Sequence, residues 1–172
     1  MGTLEHFGIN STKDNYRETA VYALAGAYSH IEKEISDYLR SSRLTPAKFN
    51  AMMVIKHIGR EKGLSQIEIG RHLIVTASNM TRLLDRLEKE GYVERFARAG
   101  DRRVNLIKIS KKGSDVLDKV WPGYYQKITN IANQLNKDEL KTISDLLLKL
   151  SSSLEGVTKK RGRTKGDRLV EN

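Results

Sequence analysis

The residues best suited to chemistry in this sequence are hydrogen-bond donors that lie between positions 65 and 103. Asn79, Arg82 and Arg86 follow one another at spacings of three and four, which places them on one face if the segment is helical. Asparagine and arginine can make paired hydrogen bonds to the edges of adenine and guanine, respectively. The pattern therefore indicates recognition of base edges in duplex DNA. The alternative is a solvated helix face on which Arg82 pairs with Asp85 or Glu88.

Small polar side chains near these residues are suited to the DNA backbone. Thr76, Ser78 and Thr81 can donate hydrogen bonds to phosphates near the start of a helix, where backbone N–H groups also attract anions. Ser65 and Gln66 begin the preceding helical segment, and we predict that they take part in DNA binding as well.

A charged turn, Ala99-Gly100-Asp101-Arg102-Arg103, follows this segment. An arginine at the tip of a hairpin can enter the narrow, electronegative minor groove beside a helix in the major groove. The carboxylate of Asp101 can hold the Arg103 guanidinium in a fixed orientation through forked hydrogen bonds. The three residues Asp101, Arg102 and Arg103 are therefore predicted to bind DNA, with an ordinary charged turn as the alternative.

Helical periodicity precedes and includes the segment of donors. Apolar residues recur at spacings of three and four from Tyr16 to Leu39, which predicts a long amphipathic helix with a coiled-coil seam. Thr45-Pro46 is typical of a helix start, and the helix that it begins should end near Gly59. Capping signals at Ser65–Glu68 and at Thr76 predict two further short helices, the second of which stops at Gly91 in the sequence.

The period then changes from that of a helix to that of a strand. Residues 92–98 and 104–109 alternate well enough to predict a two-stranded hairpin. Ser110 caps the next helix, in which Trp121-Pro122-Gly123 predicts a kink or a break. A last helix begins after Asn136, and residues 155–172 are predicted to form a basic, disordered tail.

Composition limits the function further. Lys and Arg number 31 against 21 Asp and Glu, and this net charge of +10 favours an anionic partner such as nucleic acid. The sequence has no cysteine, no paired histidines at i,i+4 and no glycine-rich phosphate loop, so we predict no metal, no cofactor and no enzyme activity. No apolar run reaches the length of a membrane span and no secretion signal begins the chain, so a cytoplasmic location is expected.

The stretch from Leu64 to Gly113 resembles the MarR family, the multiple-antibiotic-resistance regulators of bacteria and archaea. The resemblance rests on LSQIEIGRHLIVTASNMTRLLDRLEKEGYVER and on DRRVNLIKISKKG. In the second stretch, the wing pattern of the family is matched by Asp101, Arg103, Ile107, Ile109, Ser110 and Gly113. The flanking helices extend the resemblance to roughly residues 16–154.

The resemblance implies a mainly α (α+β) fold, a winged helix-turn-helix with long N- and C-terminal dimerisation helices. The lobe would occupy about residues 45–110 of a single domain over 16–154, with dimerisation helices at 16–41 and 111–154 and a flexible segment at 1–15. It also implies a homodimer that binds a pseudo-palindromic operator, usually as a repressor released by a small ligand. By position, Arg82 would contact bases, Arg103 would enter the minor groove and Asp101 would support it.

The resemblance leaves the effector and the tail open. In the family the ligand cleft lies between the dimerisation helices and the DNA lobe, so Tyr38 and His57 are candidate effector-binding residues, with ordinary packing as the alternative. The basic tail either follows phosphates beyond the operator or remains solvated and idle. The competing function is a non-specific architectural DNA-binding protein without ligand control.

Overall fold

The computed structural model describes residues 16–73, 77–98 and 101–166, with the side chains of all of these except 77, 78, 98, 101–104 and 155–166. The elements are α1 (Tyr16–Arg40), α2 (Pro46–Val54), a π-helix (Ile55–Gly59), β1 (Leu64–Ser65), α3 (Gln66–His72), α4 (Ala77–Lys89), β2 (Val93–Arg98), β3 (Asp101–Ile109), α5 (Lys111–Ala132) and α6 (Lys137–Gly166). Two compact units make up the chain, residues 1–127 and residues 128–172. None of the described helices is both long enough and apolar enough to cross a membrane.

Local capping signals set the starts and ends of the central helices, as the sequence predicts. The Thr45 side chain accepts a hydrogen bond from the Lys48 backbone N–H, with Pro46 at the first helical position of α2. Ser65 and Glu68 form both hydrogen bonds of a capping box at the start of α3. After α4 the chain turns at Gly91, whose φ of +74° is in the region that favours glycine.

The sheet has three antiparallel strands in the order β1-β3-β2. The hairpin of β2 and β3 confirms the predicted wing, but β3 begins at Asp101, three residues earlier than the sequence predicts. β1 has only two residues, Leu64 and Ser65, which pair with Ile107 and Leu106. The sequence does not indicate this strand, because two residues are too few to show an alternating pattern.

The hydrophobic core of the first unit lies between the helices and the sheet. Its largest fully buried side chains are Leu39, Phe49, Met52, Ile55, Ile69, Leu84, Leu87, Val93, Ile107 and Leu117. These residues come from α1, α2, the π-helix, α3, α4, the hairpin and α5, so each of these elements is fixed by apolar packing. The mainly helical fold with a small sheet is as expected for a winged helix.

Helix α5 runs through Pro122 without a break. Proline removes one backbone donor there, but the neighbouring packing holds the helix together. The Tyr38 hydroxyl of α1 donates a hydrogen bond of 2.8 Å to the carbonyl of Val120. Gly123 allows this approach, because a Cβ at that position would overlap the Tyr38 ring and hydroxyl. Of the kink or break that the sequence predicts here, the structure has no break.

Helix α6 belongs to the second unit and is long and amphipathic. Its exposed apolar side chains are Ile143, Leu146, Leu147, Leu148, Leu150 and Leu154. The helix continues to Gly166, so residues 155–166, for which the sequence predicts a disordered tail, are helical. Lysine and arginine have good helix propensity, and no proline interrupts this stretch.

Candidate nucleic-acid interface

Helix α4 has one buried face and one exposed face. Met80, Leu84 and Leu87 are at most 2% exposed and pack into the core. Asn79, Thr81, Arg82 and Arg86 are exposed, and Arg82 lies nearly opposite the buried face at 3.6 residues per turn. The face that the sequence assigns to base recognition is therefore open to a partner.

The acidic residues of α4 bind an arginine of the wing. Arg95 of β2 donates from Nη2 to Oδ1 of Asp85, and its Nε lies 3.3 Å from Oε2 of Glu88. In the part of the chain whose side chains are described, no hydrogen bond or ion pair engages the side chain of Arg82 or Arg86. The ion pairs between Arg82 and Asp85 or Glu88, which were the alternative interpretation of this face, are not formed.

A hydrogen bond joins the two helices of the helix-turn-helix. Gln66 of α3 donates from Nε2 to the Thr81 hydroxyl of α4 at 2.7 Å. The Ser65 hydroxyl donates to the Glu68 carboxylate and accepts from the Glu68 backbone N–H in the capping box. These three predicted DNA-binding residues thus have internal partners: Gln66 and Thr81 join α3 to α4, and Ser65 caps α3.

The predicted wing residues lie at the start of β3. Asp101, Arg102 and Arg103 belong to this strand, and the pairing of β2 with β3 changes register between Ala97 and Arg98. The side chains of these three residues and of Ser78 lie outside the described part of the structure, and so does the whole of Thr76. The roles of these five residues remain predictions.

An ion pair that the sequence analysis did not predict fixes the C-terminal end of α4. Lys48 of α2 is only 6% exposed, and its Nζ lies 2.6 and 2.7 Å from the two carboxylate oxygens of Glu90. Lys112 of α5 donates to the backbone carbonyl of Glu90 at 2.6 Å. A signal did exist, because Lys48 stands four residues before the buried Met52 and shares its helix face.

A cleft of about 400 Å³ lies between α2, the π-helix and α5. It is lined by Met53, Lys56, His57, Leu117, Asp118 and Trp121. Lys56 donates to Asp118 at 2.6 Å across the cleft, and this hydrogen bond holds the pKa of the Asp118 carboxyl below its ordinary value of 3.8. His57 is thus on the cleft wall. Tyr38, the other candidate effector residue, is not in this lining and bonds to Val120 instead.

Burial affects one more group near this cleft. Tyr124 of α5 packs against Phe49 with ring centroids 4.5 Å apart, and desolvation raises the pKa of its phenol above the ordinary 10.0. Among the described residues, no group of three or more metal-ligating side chains is close enough to hold an ion.

Comparison with known proteins agrees with this architecture. Residues 44–104 match the model of the MarR family. The sequence is 26% identical over 124 residues to the HTH-type transcriptional regulator MhqR of Bacillus subtilis, which covers 72% of this chain and 83% of that protein. It is 28% identical over 118 residues to the HTH-type transcriptional repressor YetL of the same species, covering 66% of this chain and 70% of that protein.

A solved structure has the same fold. The crystal structure of a mutant MarR from E. coli complexed with operator DNA matches with a TM-score of 0.72 and 24% sequence identity, over 80% of this chain and 98% of that chain. The winged helix predicted from the sequence is confirmed. Residues 44–104 are thus similar to the MarR family of transcriptional regulators, and the named relatives and the shared fold agree with that match.

Proposed function

We propose that this protein is a homodimeric, sequence-specific repressor that leaves a pseudo-palindromic operator when a small ligand binds. The observation that supports it best is the exposed face of α4. Arg82 and Arg86 are exposed on it without a hydrogen bond or ion pair to any described side chain, while the apolar face of the same helix is buried. A guanidinium in that position is suited to the acceptor atoms of guanine in the major groove.

The wing supplies the second contact of the proposal. Arg103 belongs to β3, the strand that leaves the hairpin loop next to residues 99–100. From a wing beside the recognition helix, an arginine can reach the adjacent minor groove, where the negative potential is strongest. One of the relatives is named a repressor, which favours repression as the outcome of operator binding.

Exposed apolar faces support the homodimer. In α1, Val21, Leu24, Tyr28 and Ile31 are exposed, and the same holds for the leucines of α6. Helices with such faces are more stable when a partner covers them. A two-fold dimer would present two copies of α4 at half-sites about one helical turn of DNA apart, which explains the expectation of a pseudo-palindrome.

The cleft beside His57 is the proposed effector site. It combines apolar walls with the charged pair of Lys56 and Asp118, a mixture that suits a small ligand. Its walls come from α2 of the lobe and from α5, which leads out of the lobe. The proposed ligand binds best to a conformation of the dimer in which the spacing of the two lobes does not match the operator. It therefore weakens operator binding by the difference between its affinities for the two conformations.

The test is fluorescence anisotropy with DNA from upstream of the protein's own gene, across a salt series and with non-specific competitor. Wild type should bind tightly and resist competitor, and Arg103→Ala should weaken binding roughly tenfold through loss of a minor-groove contact. Light scattering should give twice the 19.5 kDa mass of one chain. Equal binding to every duplex would instead favour the architectural protein, and a monomer at working concentration would contradict the dimer.

A further inference from the structure

We propose that Arg95 acts as a charge-masking residue that keeps the recognition face of α4 positive. This inference rests on the proposed function, because it concerns the same face of the same helix. By neutralising the acidic residues of α4 from the wing, Arg95 prevents them from pairing with Arg82 or repelling DNA phosphates.

The acids around α4 are few and their positions matter. Between residues 77 and 91 they are Asp85, Glu88 and Glu90. Asp85 follows Arg82 by three positions, and Glu90 follows Arg86 by four. These are the spacings at which side chains meet on a helix surface, so each arginine has a neutralising carboxylate within reach of its own helix.

All three acids are instead held by cations from other elements. Arg95 of β2 binds both Asp85 and Glu88, and Lys48 of α2 binds Glu90 through both carboxylate oxygens. The Arg95 side chain is 28% exposed, against 53% for Asp85 and 43% for Glu88. The arginine is thus less exposed than the two carboxylates that it binds.

The choice of arginine follows from its shape. A guanidinium can donate from Nε and Nη2 in different directions, so one side chain serves two carboxylates that are three residues apart. A lysine would bring the same charge with a single donor atom. Without either cation, two negative charges would face the polyanion, and Asp85 would be free to take Arg82 from its base contact.

The experiment measures operator affinity for four variants of the full chain: Arg95→Gln, Arg95→Lys, the pair Asp85→Asn with Glu88→Gln, and all three neutral substitutions together. Masking predicts a loss of roughly tenfold for Arg95→Gln, since two charges are uncovered near phosphates. Arg95→Lys should lose less. The Asp85→Asn and Glu88→Gln pair should bind no more weakly than wild type, and it should restore the Arg95→Gln protein to within about threefold.

A purely structural tie gives the opposite pattern and would overturn the proposal. In that case removing the acids would weaken binding as much as removing Arg95, and the combined variant would not recover. Unchanged affinity in Arg95→Gln would overturn it as well. Thermal unfolding of each variant separates loss of fold from loss of binding, and the Asp85/Glu88 pair still decides the matter if Arg95→Gln does not fold.

Arg82→Ala distinguishes this inference from the function on which it rests. If Arg82→Ala binds the operator like wild type, recognition through α4 fails, and masking fails with it. If Arg82→Ala weakens binding while Arg95→Gln does not, recognition through α4 stands and only the masking is wrong.

Discussion

The outer face of α4 and the segment just after its last turn use basic residues in opposite ways. On the outer face, Arg82 and Arg86 are exposed and form no hydrogen bond or ion pair with the side chains that the structure describes. Beyond the last turn, Lys48 is almost fully buried and Lys112 is bound to the backbone, both of them on Glu90. The outer face keeps its cations for a partner, whereas the cations at Glu90 hold the lobe together.

The net charge of +10 therefore does not measure the charge available to DNA. A basic residue contributes to recognition only if no carboxylate of the same molecule neutralises it. Which basic residues stay available to DNA therefore depends on where the carboxylates lie. In α4, residues suited to recognition and residues that stabilise the lobe are only a few positions apart. Arg86 and Glu90 are four residues apart, yet Glu90 pairs with Lys48 of α2 and so helps to hold the lobe together.

The largest effect on stability should come from Lys48→Met. The substitution leaves the Glu90 carboxylate without its cation in a partly buried place, and we expect a loss of about 2–3 kcal/mol in the free energy of unfolding. Glu90 is one-third exposed, which keeps this below the value for a fully buried pair. Urea denaturation measures it, with Arg82→Ala as the exposed control, for which the change should stay under about 0.5 kcal/mol.

A second variant separates the ion pair from packing at this site. Adding Glu90→Gln to Lys48→Met removes the uncompensated charge, so part of the lost stability should return. If Lys48→Met were as stable as wild type, the pair of Lys48 and Glu90 would not stabilise the lobe. The contrast with the outer face of α4 would then disappear.

The next effect concerns binding and the outer face. Arg82→Ala should cost about 1–3 kcal/mol of operator affinity, or roughly 5- to 150-fold, because a paired contact to a base edge is lost. Arg86→Ala should cost less, since Arg86 lies closer to the buried face of the helix. Competition with operators mutated at single positions checks this: the Arg82→Ala protein should lose its preference at one base pair.

Lys89→Ala is the matched control on the same helix. Lys89 is exposed in the last turn and carries the same charge, but it is further from the start of the helix. Its removal should weaken binding to all sequences alike and reduce the salt dependence by about one phosphate contact. Identical effects of Arg82→Ala and Lys89→Ala would show that α4 contributes charge without reading bases.

Much of the fold of the lobe could be predicted, because the signals for its helices and its hairpin are local in the sequence. The caps at Thr45 and Ser65 and the turn at Gly91 depend on residues within four positions of one another, and the structure has all of them. The winged hairpin also follows from a short alternating pattern. The two-residue strand β1 and the π-helix Ile55–Gly59 have no such pattern, because tertiary packing determines them.

The charge partners of the site lay beyond what spacing can reveal. Arg82 stood at the right distance from Asp85 to pair with it, and the sequence left that alternative open. The actual partner, Arg95, comes from a different element, and Lys48 lies 42 positions from Glu90. Which cation reaches a carboxylate depends on how helices and hairpin pack, and local periodicity carries no information about that.

The smallest expected effect is on stability and concerns the ion pair of Lys56 and Asp118, which is more exposed than that of Lys48 and Glu90. The hydrogen bond from Lys56 holds the pKa of Asp118 below 3.8 in the folded protein. A lowered pKa stabilises the fold above the unfolded value, and this contribution is lost as the pH falls through the folded value. Wild type should therefore be slightly more stable than Asp118→Asn between about pH 5 and 8, and the difference should close below about pH 4.

Denaturation midpoints measured at each pH test this, with Asp115→Asn as the control. Asp115 forms an i,i+4 ion pair with Lys111 on the same helix, so its variant measures the effect of losing an exposed pair that does not join two elements. Because Asp118 is exposed, solvent screens the pair, and the effect must be far smaller than that of Lys48→Met. If Asp118→Asn matched Lys48→Met in size, burial would not separate strong ion pairs from weak ones in this lobe. The distinction between basic residues that stabilise the lobe and basic residues that are available to DNA would then need another physical basis.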